Sequence, residues 1–392
     1  MKKIISVLTG LALVAGAAMA DGITFGSWGR GLWNVAANSG DDVVTDMHQS
    51  WGGDAPRTGI SVSGSTENVG FAVDMFANGS GISLGDNALI WVKPIEQIKI
   101  VAGKKDQNEL RGDAAFGLWN WDRIGAANGD VMGLEGWTFP DVFDGNGVAV
   151  IAYPIDGLTV GAGIPLSLSG AGATLEDTYA HGANYAAAYA IDGVGTIKAA
   201  YMTKATAKDS DLKDKDYGVI AAAFDLTMVD GLYASVGAQI PTAHVFFEPK
   251  SLDDKLKDEP TVVNAYARYS LDALAVHLAV GTKLNTFDLN KTKKEDAADG
   301  NVGFAIGAGA DYSLDNGIGF FGDVRYANGI YMANTSADKS DCLTLGLGVE
   351  KNFSNGKIGI AFEGATNNKG RYPLKDNDAF AWEIPVKVEY LF

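Results

Sequence analysis

Residues 382–392 read WEIPVKVEYLF. Trp382, Ile384, Val386, Val388, Tyr390 and Phe392 take every second position, and Glu383, Lys387 and Glu389 lie between them. A period of two places successive side chains on opposite faces of a strand, here one apolar and one charged. The apolar face has aromatic ends and an aliphatic middle, which fits a slab with an apolar centre and polar surfaces, a bilayer. A strand of a soluble sandwich can share the alternation but has less reason to carry rings at both ends. Pro385 breaks the pattern, because it lacks the N–H that a closed ladder uses, and a bulge is expected there.

The same scheme recurs upstream, punctuated by turns. YPIDG (153–157), YAIDG (189–193), FDLTMVDG (224–231), YSLD (269–272), YSLDNG (312–317) and NFSNG (352–356) each precede a new alternating run. Glu67-Asn68 and Pro94 to Gln97 look like two earlier members. Asp-Gly and Asn-Gly supply the positive φ that short hairpins need. An aromatic residue just before most of these turns marks one membrane interface. Longer polar connections alternate with them, near 37–57, 78–86, 106–146, 169–182, 205–215, 242–260, 285–300, 329–340 and 367–377. Short turns on one rim and long loops on the other predict an all-β fold, a transmembrane antiparallel β-barrel with short periplasmic turns and long extracellular loops. The eight hairpins plus a first strand near 22–36 and a last near 378–392 give about 18 strands, with 16 as the alternative count.

Composition agrees. The chain opens MKKIISVLTGLALVAGAAMA, with basic Lys2 and Lys3, an apolar stretch and the small-residue site Ala18-Met19-Ala20. This reads as a Sec-type signal peptide over 1–20, removed to leave a single barrel domain over 21–392. No later run of 18 apolar residues offers a helical span. There are 50 Gly and only 10 Pro, as many strands and tight turns require. One cysteine, Cys342, excludes an intramolecular disulfide framework. A net charge of −17 argues against nucleic acid as a partner. No phosphate-binding loop, dinucleotide fingerprint, zinc or EF-hand spacing is present, so no cofactor or metal is expected.

The charges test the barrel. Ile197, Ala199 and Tyr201 share a face opposite Lys198; Val263, Ala265, Ala267 and Tyr269 oppose Asn264, Tyr266 and Arg268; Ile318, Phe320, Val324 and Tyr326 oppose Phe321, Asp323 and Arg325; Ile358, Ile360 and Phe362 oppose Glu363. A charge at mid-bilayer on the lipid face costs about 2–4 kcal/mol, so these charges belong in a wet lumen. A barrel this wide is not filled by its own wall side chains, and a water-filled channel is expected. The pore-lining candidates are Arg30, Lys99, Lys198, Arg268, Asp323, Arg325, Glu363, Lys387 and Glu389. Basic residues slightly outnumber acidic ones among them, while the loops are acidic, so ion selectivity stays open.

The 106–146 connection is the longest and carries Arg111, Asp113, Phe116, Trp119, Trp121, Asp122, Arg123, Trp137 and Phe139. Its rings need burial, and a loop folded into the barrel to narrow the pore would provide it. The constriction candidates are Arg111, Asp113, Trp119, Trp121, Asp122 and Arg123. The same rings could instead pack the loop on the wall or a neighbouring subunit, or form a stacking track for sugars.

The signal peptide, the alternation of short turns and long loops, the long 106–146 connection and the terminal Phe392 together resemble the Gram-negative outer-membrane porins. The segment GITFGSWGRGLW (22–33) is similar to the N-termini of spirochaete, Treponema-type, outer-membrane proteins. The resemblance implies passive diffusion of small hydrophilic solutes and ions, outer-membrane lipid as surroundings, and a homo-oligomer, a trimer. It also implies that the barrel-assembly machinery reads Tyr390 and Phe392. The arginine ladder of the enteric general porins has no evident counterpart, which puts their selectivity rules in doubt here. A sugar-selective channel and a surface adhesin or antigen on the same barrel are the alternative readings. An outer-membrane hydrolase would need a rim constellation around His48, His181, His244 or His277; the first three fall in loops and His277 faces the lumen.

Overall fold

The computed structural model describes residues 22–39, 42–48, 57–78, 81–105, 145–165, 183–203, 218–242, 261–285, 301–332, 341–366 and 380–391. They form one antiparallel sheet. In chain order its strands are β1 (Ile23–Ser39), β2 (Asp42–His48), β3 (Arg57–Ser65), β4 (Val69–Asn78), β5 (Gly81–Ile95), β6 (Ile98–Lys105), β7 (Gly145–Ile155), β8 (Leu158–Pro165), β9 (Asn184–Ile191) and β10 (Gly195–Thr203). The series continues with β11 (Gly218–Leu226), β12 (Leu232–Pro241), β13 (Thr261–Leu271), β14 (Leu274–Asn285), β15 (Asn301–Ser313) and β16 (Ile318–Ala327), then the one-turn helix α1 (Gly329–Met332), β17 (Cys342–Phe353), β18 (Gly356–Thr366) and β19 (Phe380–Leu391).

β1 pairs with both β2 and β3, each strand from β3 on pairs with its sequence neighbour, and β19 pairs with β1, so the sheet closes and has no free edge. β2 and β3 lie end to end along the same side of β1: β2 meets Leu32–Ser39 and β3 meets Ile23–Arg30. Together they make one interrupted stave, and the barrel has 18 staves. All eight expected short turns join hairpins at one rim, where β1 begins and β19 ends. Positive φ at Gly157 (79°), Gly193 (67°), Gly231 (75°) and Gly317 (82°) explains the Asp-Gly and Asn-Gly signatures.

The connection expected over 78–86 is a correction. β4 runs to Asn78 and β5 resumes at Gly81, so this hairpin stands tall rather than opening into a loop. A register shift between Val73 and Met75 absorbs the polar segment, and Asp74 accepts hydrogen bonds from the Asn87 backbone N–H (3.1 Å) and side-chain amide (2.8 Å). β1 likewise runs on to Ser39, past the expected end near residue 36.

The barrel is inverted relative to a soluble protein. Leu347 is 52 % exposed, Val388 50 % and Phe320 48 %, all on the outer face. Their neighbours in sequence, such as Gly346, Lys387 and Gly319, are buried on the inner face. Tyr189, Tyr269, Tyr312, Phe353 and Tyr390 are exposed at the short-turn rim, and Tyr185, Phe304 and Phe380 at the other. This is the double aromatic girdle of a membrane barrel. Tyr153 departs from the expected belt: it follows Ala149 and Ile151 on the inner face and packs against buried residues there. In β19, Pro385 lies opposite Asn34, where the register to β1 shifts between Asn34 and Ala36. The bulge expected from its missing N–H is present in the partner strand.

Candidate functional site

The inner wall has two sectors of different chemistry. On β6 to β11 it is mostly apolar and small, with Val101, Ala149, Ile151, Ala186, Ala200, Ala221 and Ala223 buried in one cluster, and the charged Lys99, Lys198 and Asp225 stand in the same sector. On β13 to β19 it is charged. One cross-strand row there runs Arg268, His277, Gly309, Asp323, Gly346, Glu363, Glu383 by direct register. Gly309 and Gly346 leave room between the long side chains. Asp323, Glu363 and Glu383 thus put three carboxylates in one belt, with Arg325 in the adjoining row.

Ion pairs distribute the charge along this wall. Arg325 Nε donates to Asp323 Oδ1 at 3.1 Å with both side chains buried. Lys198 of β10 donates to Asp225 of β11, which also accepts from Ser235 Oγ at 2.7 Å. Lys387 stands 3.7 Å from Glu389, and Lys357 stands 3.2 Å from Glu350. Lys99, near the short-turn rim, sits 5.1 Å from the Trp91 ring centroid, a cation–π contact. Arg30 is opposite Glu389 in the β1–β19 register. His277 joins two strands: its Nδ1 meets Tyr266 Oη at 2.8 Å and its Nε2 meets Asp311 Oδ2 at 2.6 Å. Both ring nitrogens are engaged in the wall, which holds the ring in a structural linkage.

At the long-connection rim the chain turns inward after β16. Asn328 Oδ1 accepts from the Tyr331 N–H (2.9 Å) and the Phe304 N–H (3.0 Å), capping α1 onto β15. Tyr331 is 1 % exposed, packed with the inner-face residues Ala279, Ala305 and Ala327. Lys283 Nζ lies 4.4 Å from its ring centroid and donates to its carbonyl at 3.1 Å. An inward-packed element therefore stands at this rim, in the connection between β16 and β17.

A closed 18-stave barrel with an apolar exterior and a charged interior has solved counterparts. Pseudomonas aeruginosa OccK2 (OpdF) superimposes with a TM-score of 0.52 over 94 % of this chain and 97 % of its own, at 12 % identity. OpdL of the same organism gives 0.52 over 94 % and 98 %, at 12 % identity. Salmonella typhi OmpF, solved in complex with daunomycin, gives 0.50 over 94 % and 97 %, at 11 % identity. The fold is that of the Gram-negative outer-membrane porins. At these identities the likeness is one of fold, and no family model and no curated protein matches the chain in sequence.

Within the porin fold, Lys198, Arg268, Asp323, Arg325, Glu363, Lys387 and Glu389 stand on the inner side of their strands. The constriction candidates Arg111, Asp113, Trp119, Trp121, Asp122 and Arg123 lie outside the described residues, as do Phe392 and the whole of 1–20. Tyr390 is exposed on the lipid face, opposite Gly29 and Gly356. Asp225 and Asp311 carry inner-wall chemistry without having been singled out in the sequence. Each adjoins a turn signature, FDLTMVDG and YSLDNG, whose turn chemistry masks the strand alternation that would have assigned it inward.

Proposed function

We propose that the chain forms a water-filled channel across the bacterial outer membrane for passive diffusion of small hydrophilic solutes and ions. The inversion of polarity carries this reading: Leu347 and Val388 meet lipid while Arg325, Lys387 and Glu363 line the interior. Charges at those inner positions have no use in an apolar core and are costly unless paired or hydrated. Eighteen staves enclose more space than wall side chains fill. Opposite charges in neighbouring rows set a transverse field, which favours polar solutes able to follow it.

The chain is exported by the signal over 1–20 and assembled as one domain over 21–392, with Tyr390 and Phe392 read by the barrel-assembly machinery and a homotrimer as the working unit. The 106–146 connection folds into the barrel. It connects β6 to β7, and its rings would gain burial there.

Purified protein in planar bilayers tests the reading. Discrete conductance steps are expected, and their absence would overturn the channel. Deleting residues 112–136 is expected to raise single-channel conductance; an unchanged value would remove the constriction from the proposal.

A further inference from the structure

A cavity of about 260 Å³ opens on the inner wall beside the β13–β14 turn, close to the short-turn rim. Arg268 of β13, Asp272 of the β13–β14 turn, Asp311 of β15, Phe321 of β16 and Glu350 of β17 surround it, and Ser270 and Ser313 add hydroxyls. Its floor is low because Ala275 and Gly319 carry almost no side chain. The Phe321 ring leans the other way, over Gly348, where a Cβ would fall 2.1 Å from Phe321 Cζ. Glu350 leans back across Gly319, its Cγ 3.2 Å from where a Cβ would stand. The cavity is thus bounded by one aromatic wall, one cationic wall and one anionic wall.

The charges are set for a ligand bearing both signs. Arg268 Nε is buried and makes no hydrogen bond among the described residues, so the guanidinium retains donor capacity. Asp311 uses Oδ2 for His277, and no bond to Oδ1 occurs among the described residues. Arg268 and Asp311 form no ion pair among the described residues, although both line the cavity. Glu350 is held by Lys357 at 3.2 Å and by Asn352 Nδ2 at 3.1 Å, and it strengthens the negative side. A simple anion would meet three carboxylates here, Asp272, Asp311 and Glu350, and a simple cation would meet a guanidinium.

We propose that this cavity is a solute subsite for small zwitterions of the α-amino acid type. The carboxylate docks on Arg268, the ammonium on Asp311 with Glu350 behind it, and the side chain lies along Phe321. The subsite rests on the channel reading, since solute reaches it from the lumen.

Isothermal calorimetry on the refolded full chain in detergent tests it, with L-serine as the probe and lactate and ethanolamine as single-charge controls. Saturable binding of serine, at least tenfold tighter than either control, is expected. Arg268→Gln and Asp311→Asn should each weaken serine binding about tenfold, with Arg268→Lys retaining part of it. Heat-modifiable gel migration checks that each variant is folded. No saturable serine binding, controls that bind equally well, or folded variants that bind like wild type would overturn the subsite. Binding does not require conduction: a barrel that conducts without binding serine sinks the subsite alone, and one that binds serine without conducting sinks the channel alone.

Discussion

Arg325 and Asp323 stand two residues apart on one strand, and Arg325 Nε donates to Asp323 Oδ1 at 3.1 Å while neither side chain reaches solvent. Only a strand whose inner face is polar puts such a pair on one side without a turn between them. Removing Arg325 takes a charged partner away from the buried Asp323 carboxylate. Arg325→Met is expected to destabilise the barrel by about 3–5 kcal/mol, and the double variant Asp323→Leu with Arg325→Met to recover most of the loss. Urea unfolding followed by tryptophan fluorescence measures both. A single variant as stable as wild type would show that the pair contributes nothing.

Asp341 fixes the inward turn before β17. Its Oδ1 accepts the Gly329 N–H at 2.8 Å and its Oδ2 accepts the Tyr326 hydroxyl at 2.5 Å. The Tyr326 hydrogen bond, and then the Gly329 N–H, hold its carboxyl below the usual carboxylate range. A depressed folded pKa stabilises above the unfolded value and is lost as pH falls through the folded one. Protection of the Gly329 amide from hydrogen exchange is therefore expected to persist at neutral and mildly acid pH. It should fall away only below the ordinary carboxylate range. In Asp341→Ala it should be low throughout, and a wild-type pH profile in that variant would show that the carboxylate is not the anchor.

Much of this architecture was legible because a membrane barrel is a repeated local pattern. Every stave carries its own alternation, and most short turns their own Gly or Asp, so Ile197 against Lys198 already tells lipid from lumen. The interrupted stave of β2 and β3 was hidden, since nothing local in Asp42–His48 says that it shares an edge with Arg57–Ser65. Which charges meet was hidden too. Lys198 and Asp225 are brought together by register between strands, as are His277 and Asp311, and register depends on turn length more than on either residue. The inward fold at Tyr331 was masked by the polar run that follows Met332, which reads as an ordinary exposed loop.

The contact between Lys283 and Tyr331 ties α1 to β14. The ammonium is 4.4 Å from the ring centroid and bonds the Tyr331 carbonyl, while the ring packs on Ala279, Ala305 and Ala327. Tyr331→Ala removes a buried aromatic, a change worth about 3–5 kcal/mol in a packed site, and should free α1 from the wall. Lys283→Met should loosen it less, because the ring stays buried. Single-channel recordings are expected to show noisier and altered open-state conductance in the tyrosine variant and a weaker change in the lysine variant. Identical traces for all three proteins would place α1 clear of the conduction path.

Leu347 sits in the middle of β17 with its side chain on the outer face, between buried Gly346 and half-buried Gly348. At that depth a guanidinium must enter hydrocarbon or drag water after it. Leu347→Arg is expected to cost about 2–4 kcal/mol of insertion free energy, and the same change near either rim much less. The equivalent substitution at Ile318, at the short-turn end of β16, serves as the rim control. Folding yield into lipid vesicles, read by resistance to protease and heat-modifiable migration, separates the two. Comparable yields for both variants would contradict a lipid-facing Leu347, because a soluble or lumenal position has no depth dependence to report.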